Sequence, residues 1–213
     1  MIQVAMLIAR SDVVGGTSVV MRNLCTGLEP YGMSTTAIAG GVGPYLSDLE
    51  AHGVRYRVIP TLGPSVSGLN DLKSLARLRR ILKKLDPDLL VCHDPKAGVI
   101  GRLLGRQMNI PVVYTAHGWP FGEGVPRRQV KLRLAVERTA AKLLPSTVVD
   151  VCDHDRELAV KSGIGSPDAH VVVRNGIPDI DPAFRAEPAA DPPHIVMIAR
   201  FSSQKDQATL ISA

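Results

Sequence analysis

Ile2-Gln3-Val4-Ala5-Met6-Leu7-Ile8-Ala9 opens the chain, and Asp12-Val13-Val14-Gly15-Gly16-Thr17-Ser18 follows shortly after. An apolar run of this length is far short of the roughly 20 residues that span a bilayer, so it reads as a β-strand. Met1-Ile2-Gln3-Val4 has neither the charged n-region nor the small-residue cleavage site of a signal peptide. Beyond the glycine pair, Val20, Leu24 and Leu28 recur every four residues, the spacing of an amphipathic helix. Strand, glycine turn and helix in that order begin a βαβ unit.

The same alternation continues downstream. Strands are expected at 2–9, 34–39, 56–59, 89–92, 112–115, 147–151 and 171–174. Between them Leu72, Leu75, Leu78, Leu82 and Leu85 mark a second amphipathic helix, and further helices are expected at 45–51, 97–108, 127–143 and 154–162. Pro111, Pro145 and Pro167 fall in the gaps. The fold class is therefore α/β, a Rossmann-like, mostly parallel sheet with helices on both faces, assigned to residues 1–177. Pro178, Pro182, Pro188, Pro192 and Pro193 punctuate a stretch with no hydrophobic period, a linker over 178–193. A strand at 194–199 and a helix over 205–213 then start a second, truncated Rossmann-like domain. A lone strand and partial helix bury no core, so this tail is either an unfinished domain or a strand borrowed by the first sheet.

With 45% hydrophobic and 21% charged residues over 213 positions, the composition is that of a soluble globular protein, and a cytoplasmic one is expected. Cys25, Cys92 and Cys152 are odd in number and form no C-x-x-C pair, so buried free thiols are expected, with no metal site. The net charge of +5 favours phosphate-bearing ligands or an anionic membrane surface. Nucleic acid is not expected as a partner, because aromatics make up only 4% and no basic run is interleaved with stacking rings.

Ligands of open α/β sheets bind beyond the carboxyl ends of the strands. Gly15 and Gly16 precede a helix whose free amides could face a phosphate or sugar; a tight strand-to-helix turn accounts for them equally well. The pair is not the G-x-G-x-x-G fingerprint, which disfavours a nicotinamide or flavin enzyme. His93-Asp94-Pro95-Lys96-Ala97-Gly98 follows the fourth strand and Ala116-His117-Gly118-Trp119-Pro120-Phe121-Gly122-Glu123-Gly124 the fifth. Two histidines, a lysine, an acid and the only tryptophan thus converge on one edge, with His93, Lys96, Gly118, Trp119, Glu123 and Asn175 as cleft candidates. Arg127, Arg128, Lys131, Arg133, Arg138 and Lys142 stand against Glu137 on one helix, which either lies on anionic lipid or is a solvated face.

In this order and spacing, five segments resemble the GT-B-fold glycosyltransferases of family 4, retaining enzymes that use nucleotide sugars. They are Gly15-Gly16, Lys96-Ala97-Gly98, Thr115-Ala116-His117-Gly118-Trp119, Val171-Val172-Val173-Arg174-Asn175-Gly176-Ile177, and Ala199-Arg200-Phe201-Ser202-Ser203-Gln204-Lys205-Asp206. The last is similar to the family's Gly-Arg-x-x-x-x-Lys, with Ala199 in place of glycine. The resemblance implies an N-terminal acceptor-side half of a GT-B fold, with the donor, a UDP-sugar first among nucleotide sugars, held mainly by the second domain. It also implies that Arg200, Lys205, Gly15 and Gly16 approach the donor diphosphate and that His117 is the catalytic-site residue reaching the donor sugar. No further cofactor is implied, and in retaining members the leaving phosphate assists acceptor deprotonation. Family members continue for well over a hundred further residues, including a Glu-x7-Glu segment, so this chain alone is expected to lack activity. Thr115 to Gly124 is most similar to bacterial members that build capsule or exopolysaccharide on lipid-diphosphate carriers. A saccharide or lipid-linked acceptor and peripheral contact with the inner face of the cell membrane are then expected; a non-catalytic sugar or phospho-ligand binding module is the alternative.

Overall fold

A computed structural model describes residues 1–121, 127–187, 189, 191–199, 201 and 205–213. Seven parallel strands form one sheet in the order β3-β2-β1-β4-β5-β6-β7: β1 Ile2–Ile8, β2 Met33–Gly40, β3 Tyr56–Ile59, β4 Leu89–Cys92, β5 Val112–Ala116, β6 Thr147–Asp150 and β7 His170–Val172. The intervening helices are α1 Gly16–Gly27, α2 Pro44–Ala51, α3 Gly68–Leu85, α4 Pro95–Met108, α5 Arg127–Leu143 and α6 Asp153–Lys161. The expected α/β architecture is therefore present, with boundaries moved by one or two residues.

From Val4 onward β1 is apolar at every position, and its packing explains why. Ala5, Leu7 and Ala9 pack with Leu78 and Leu82 of α3 and Leu104 of α4 on one face. Val4, Met6 and Ile8 pack with Met21 and Cys25 of α1 and Tyr45 and Leu49 of α2 on the other. A parallel strand covered on both sides has no solvent-facing register to mark with polar residues. Cys25 and Cys92 are buried thiols, while Cys152 is half-buried.

α4 lies close on the sheet because three glycines face it. A Cβ at Gly98 would come within 2.7 Å of the Tyr114 ring, and Cβ atoms at Gly101 and Gly105 would overlap Cys92 Sγ and Val112 Cγ2. Arg102, on the same face, is buried: its Nη2 lies 2.8 Å from Glu137 Oε2 of α5, its Nε donates to Gly98 O at 2.8 Å, and its guanidinium stands 4.8 Å from the Tyr114 ring centroid. Glu137, the lone acid of the basic helix, is thus an internal anchor.

The tail differs from expectation. Residues 194–199 form no strand, and Ile195, Val196 and Ile198 are exposed. A strand is stabilised by its ladder and by cover on its faces, and these residues have neither; the sheet ends at β7, so it has not borrowed them. The final helix α7 is shorter than expected, Gln207–Ser212. Arg200 and Glu123 lie outside the described residues.

Candidate functional site

The order in which strands are added to the sheet reverses between β1 and β4: β2 and β3 lie to one side, β5 to β7 to the other. That switch point opens a crevice beyond the carboxyl ends of the two strands. Asp94 follows β4 there. Its Oδ1 accepts from Ala97 N at 2.9 Å, capping α4, and its Oδ2 accepts from Ala9 N, tying the end of β4 to the end of β1. Burial holds its carboxyl above the usual range, an effect moderated by those amides.

Gly15 and Gly16 stand on the β1 side. Gly15 is extended (φ −146°), and a Cβ at either glycine would meet nothing within 4 Å. Unusual backbone geometry is therefore not why these two are glycines; their missing side chains leave the amino end of α1 open. That end borders a cleft of ≈ 250 Å³ lined by Ile8, Arg10, Val14 and Thr17. No acidic residue occupies the first turn, so its unpaired amides carry the positive end of the helix dipole undiminished. Arg10, which no sequence motif singles out, is bound to Asp12 through Nε and Nη2, each at 2.8 Å.

On the β4 and β5 side, His93 and His117 are brought together. His93 is fully buried at the end of β4, its amide donating to Leu7 O at 2.9 Å. His117 follows β5, and Gly118 after it turns the chain at φ +98°. The two rings stack at 5.5 Å with His93 Nδ1 3.2 Å from His117 Nε2. Burial, aided by His117, pushes His93 down to about 3; burial alone pushes His117 down to about 4. Both rings are neutral at pH 7, which suits hydrogen bonding to hydroxyls or phosphate oxygens rather than ion pairing.

Other expected cleft residues go elsewhere. Trp119 turns inward: its Nε1 donates to Asp150 Oδ1 at 3.1 Å and Asp155 O at 3.0 Å, and its ring stacks on Phe121 at 5.5 Å. It is a core residue, because a buried indole finds its acceptor inside. Lys96 lies 2.6 Å from Asp71 and also donates to Ser65 O, so its charge joins α4 to α3 and is not free for an acceptor. Asn175 is exposed beyond β7, three strands from β4 and so about 14 Å from the crevice by strand spacing. Lys205 is exposed ahead of α7.

A second buried pair has no motif that marks it in the sequence. Asp150 Oδ2 lies 2.7 Å from His170 Nδ1, and His170 Nε2 lies 2.8 Å from Ile164 O. A carbonyl oxygen can only accept, so Nε2 carries a proton, and the Asp150 bond holds His170 above its ordinary range. Since Asp150 also receives Trp119, this pair fixes the segment two residues after His117.

The Glycosyl transferase 4-like domain family matches residues 15–176. The chain belongs to that family. Among curated relatives it is 32% identical over 133 residues to the Escherichia coli UDP-Gal:alpha-D-GlcNAc-diphosphoundecaprenol alpha-1,3-galactosyltransferase, covering 62% of this chain and 34% of the relative. It is 38% identical over 74 residues to the putative glycosyltransferase EpsD of Bacillus subtilis (strain 168), covering 32% and 19%. Anabaena HepE in complex with UDP-glucose superposes with a TM-score of 0.67 at 18% identity, covering 83% of this chain and 44% of HepE. Acinetobacter baumannii MurG superposes at 0.57 and 15% identity, covering 84% and 46%. The Rossmann-like half of a GT-B fold is thereby established, and the chain spans about a third or less of these curated relatives. No described helix is long and apolar enough to cross a membrane.

Proposed function

We propose that this chain is the acceptor-side half of a retaining glycosyltransferase that moves a hexosyl unit from a nucleotide sugar, a UDP-sugar first, to a saccharide or lipid-linked acceptor in surface polysaccharide synthesis. The observation that supports the proposal is that, in a family-4-like domain, the open amino end of α1 follows β1 while the neutral His93–His117 pair follows β4 and β5, on the strands around the switch point. The named activity of the Escherichia coli relative and the UDP-glucose bound by HepE support the substrate classes. Negative charge grows on the leaving diphosphate as the glycosidic bond breaks, and amides already aimed at that position stabilise it without reorganisation. His117, neutral, hydrogen-bonds a sugar hydroxyl. Arg200 and Lys205 would add charge from the donor side in the whole enzyme, so the 213-residue chain alone turns over no donor. Calorimetry with a diphosphate-linked N-acetylglucosamine lipid analogue tests the acceptor role. Binding that disappears in Gly15→Leu is expected, and absence of binding to the parent chain would sink it. Turnover of UDP-galactose or UDP-glucose by the chain would overturn its inactivity.

Peripheral membrane contact belongs to the same proposal. On α5, Leu132, Val136, Thr139 and Leu143 fall in one stripe at helical spacing, and the three aliphatic ones are exposed. The stripe borders an apolar groove of ≈ 440 Å³ between α4 and α5, lined by Val99 and Leu103 from the α4 side. Exposed Arg128, Lys131 and Lys142 flank it. An aliphatic stripe with cationic flanks complements an anionic bilayer surface at the inner face of the cell membrane. Co-sedimentation with phosphatidylglycerol vesicles, lost in Leu132→Ser/Val136→Ser, is expected; equal sedimentation with neutral vesicles removes the idea.

A further inference from the structure

Only two of the four ring nitrogens of His93 and His117 face each other, His93 Nδ1 and His117 Nε2, and one proton serves that contact. If it sits on His93 Nδ1, His117 Nε2 is bare and His117 carries its own proton on Nδ1. If it sits on His117 Nε2, His93 Nδ1 is bare and His93 carries its proton on Nε2. Either way the two neutral rings bear the same tautomer. A mixed pair would set N–H against N–H or lone pair against lone pair. Burial keeps both rings neutral, so a doubly protonated ring does not release the constraint.

The far end of the pair is closed. His93 Nε2 is buried with no hydrogen-bond partner, and its ring has no exposed surface. A proton taken up at His117 Nδ1 has no onward path through His93. The arrangement therefore cannot relay protons; it can hold one tautomer and one ring orientation, as the hidden nitrogen of a functional histidine commonly does.

We infer that His93 is a positioning residue, its tautomer locked to that of His117, so that His117 presents its free Nδ1 to the crevice as a fixed hydrogen-bonding group rather than as a proton shuttle. The role of the crevice as a sugar-transfer site rests on the function proposed above; the lock itself rests on this contact alone. It explains why a fully buried histidine stands at the end of β4, beside Asp94, where an apolar residue would fill the space without an orphaned nitrogen.

Two-bond 15N–1H spectra of the 15N-labelled 213-residue chain at pH 7 test it, with the rings assigned by their loss in His93→Asn and His117→Asn. Single, matching tautomers for His93 and His117, with shifts flat from pH 7 to pH 5, are expected. Opposite tautomers, the averaged shifts of a free imidazole, or protonation of His117 above pH 6 would overturn the inference. In His93→Phe the His117 nitrogens are expected to average between tautomers. His93→Asn, whose amide reaches the position of Nδ1, is expected to restore one tautomer to His117. If His93→Phe does not fold, the wild-type spectra still decide. A mixed pair would leave acceptor binding untouched, and failure of acceptor binding would leave a matched pair standing, so the two proposals fail separately.

Discussion

Glu137→Ala is the change with the most to reveal about how α5 is held. The helix buries only Glu137 and Ala140, so half of its fully buried residues is a charged one. Both side chains of the Arg102–Glu137 pair are almost wholly buried, at 1% and 2% exposure. Removing one partner of such a pair costs about 3–5 kcal/mol, because the other charge stays behind without its counter-ion. Arg102 keeps its bond to Gly98 O and its place on the Tyr114 ring, which sets the expectation near the lower end, about 3 kcal/mol. At about 2–4 °C per kcal/mol for a domain of this size, the melting midpoint falls by roughly 6–12 °C. Circular dichroism melts read that shift, and hydrogen exchange should show protection lost first along α5. Replacing both partners, Arg102→Met/Glu137→Leu, removes the stranded charge and should return stability to within about 1 kcal/mol of the parent. The reasoning fails if Glu137→Ala costs less than about 1 kcal/mol, or if the double variant is as damaged as the single.

Three further outcomes follow from the same contacts. His93 and His117 fold with pKa values below the ordinary 6.5, so as pH falls below 6.5 the unfolded chain takes up protons that the folded chain refuses, and stability drops. Half-buried Asp94 and buried Glu137 act in the opposite sense, so the readout is a difference between chains: urea melts at pH 6.5 and 5 should show His93→Asn losing roughly 1.5 kcal/mol less than the parent, and parallel losses would contradict the burial argument. Gly101→Ala gains about 1 kcal/mol of helix propensity but forces a methyl into Cys92 Sγ, for a net loss of about 1–2 kcal/mol that Cys92→Ala should largely restore; strict additivity in that cycle would disprove the contact. Asp150→Ala deprives both Trp119 and His170, with an expected loss of at least about 2 kcal/mol and a red-shifted emission from the only tryptophan; an unmoved spectrum would show that Asp150 does not hold it.

The strands and helices were legible because their signals are local: β1 is apolar at every inward position of both faces, and Leu75, Leu78, Leu82 and Leu85 repeat at the helical period. The site was legible only to the level of strand ends. His93 and His117 lie 24 residues apart, and their pairing follows from β4 and β5 being neighbours, which the order of segments implies but no spacing displays. Position after a strand makes Lys96 and Trp119 cleft candidates; nothing in the sequence ties Lys96 to Asp71, and nothing in it says which way the indole folds. Asp150 and His170 have no short-range motif at all. At 194–199 the apolar pattern was real and the strand was not, since a pattern states what a segment could bury and a strand also needs a neighbour.

On the function proposed above, the charges at the crevice bear on how a donor diphosphate would be held. Arg10 is neutralised by Asp12, Lys96 by Asp71, and both histidines are uncharged, so among these residues an incoming diphosphate meets amides and neutral rings but no free cation. Such a surface can position a sugar or a phosphate by geometry. It contributes little of the long-range attraction by which an exposed basic site captures an anion and which salt suppresses. Acceptor binding to this chain should therefore change little between 50 and 500 mM salt; if, as proposed, Arg200 and Lys205 hold the donor diphosphate, a longer chain that binds the donor should do so in a strongly salt-dependent way. A steep salt dependence in the chain alone would mean that one of the two ion pairs opens to ligand, and that the crevice holds more of the diphosphate site than its closed contacts show.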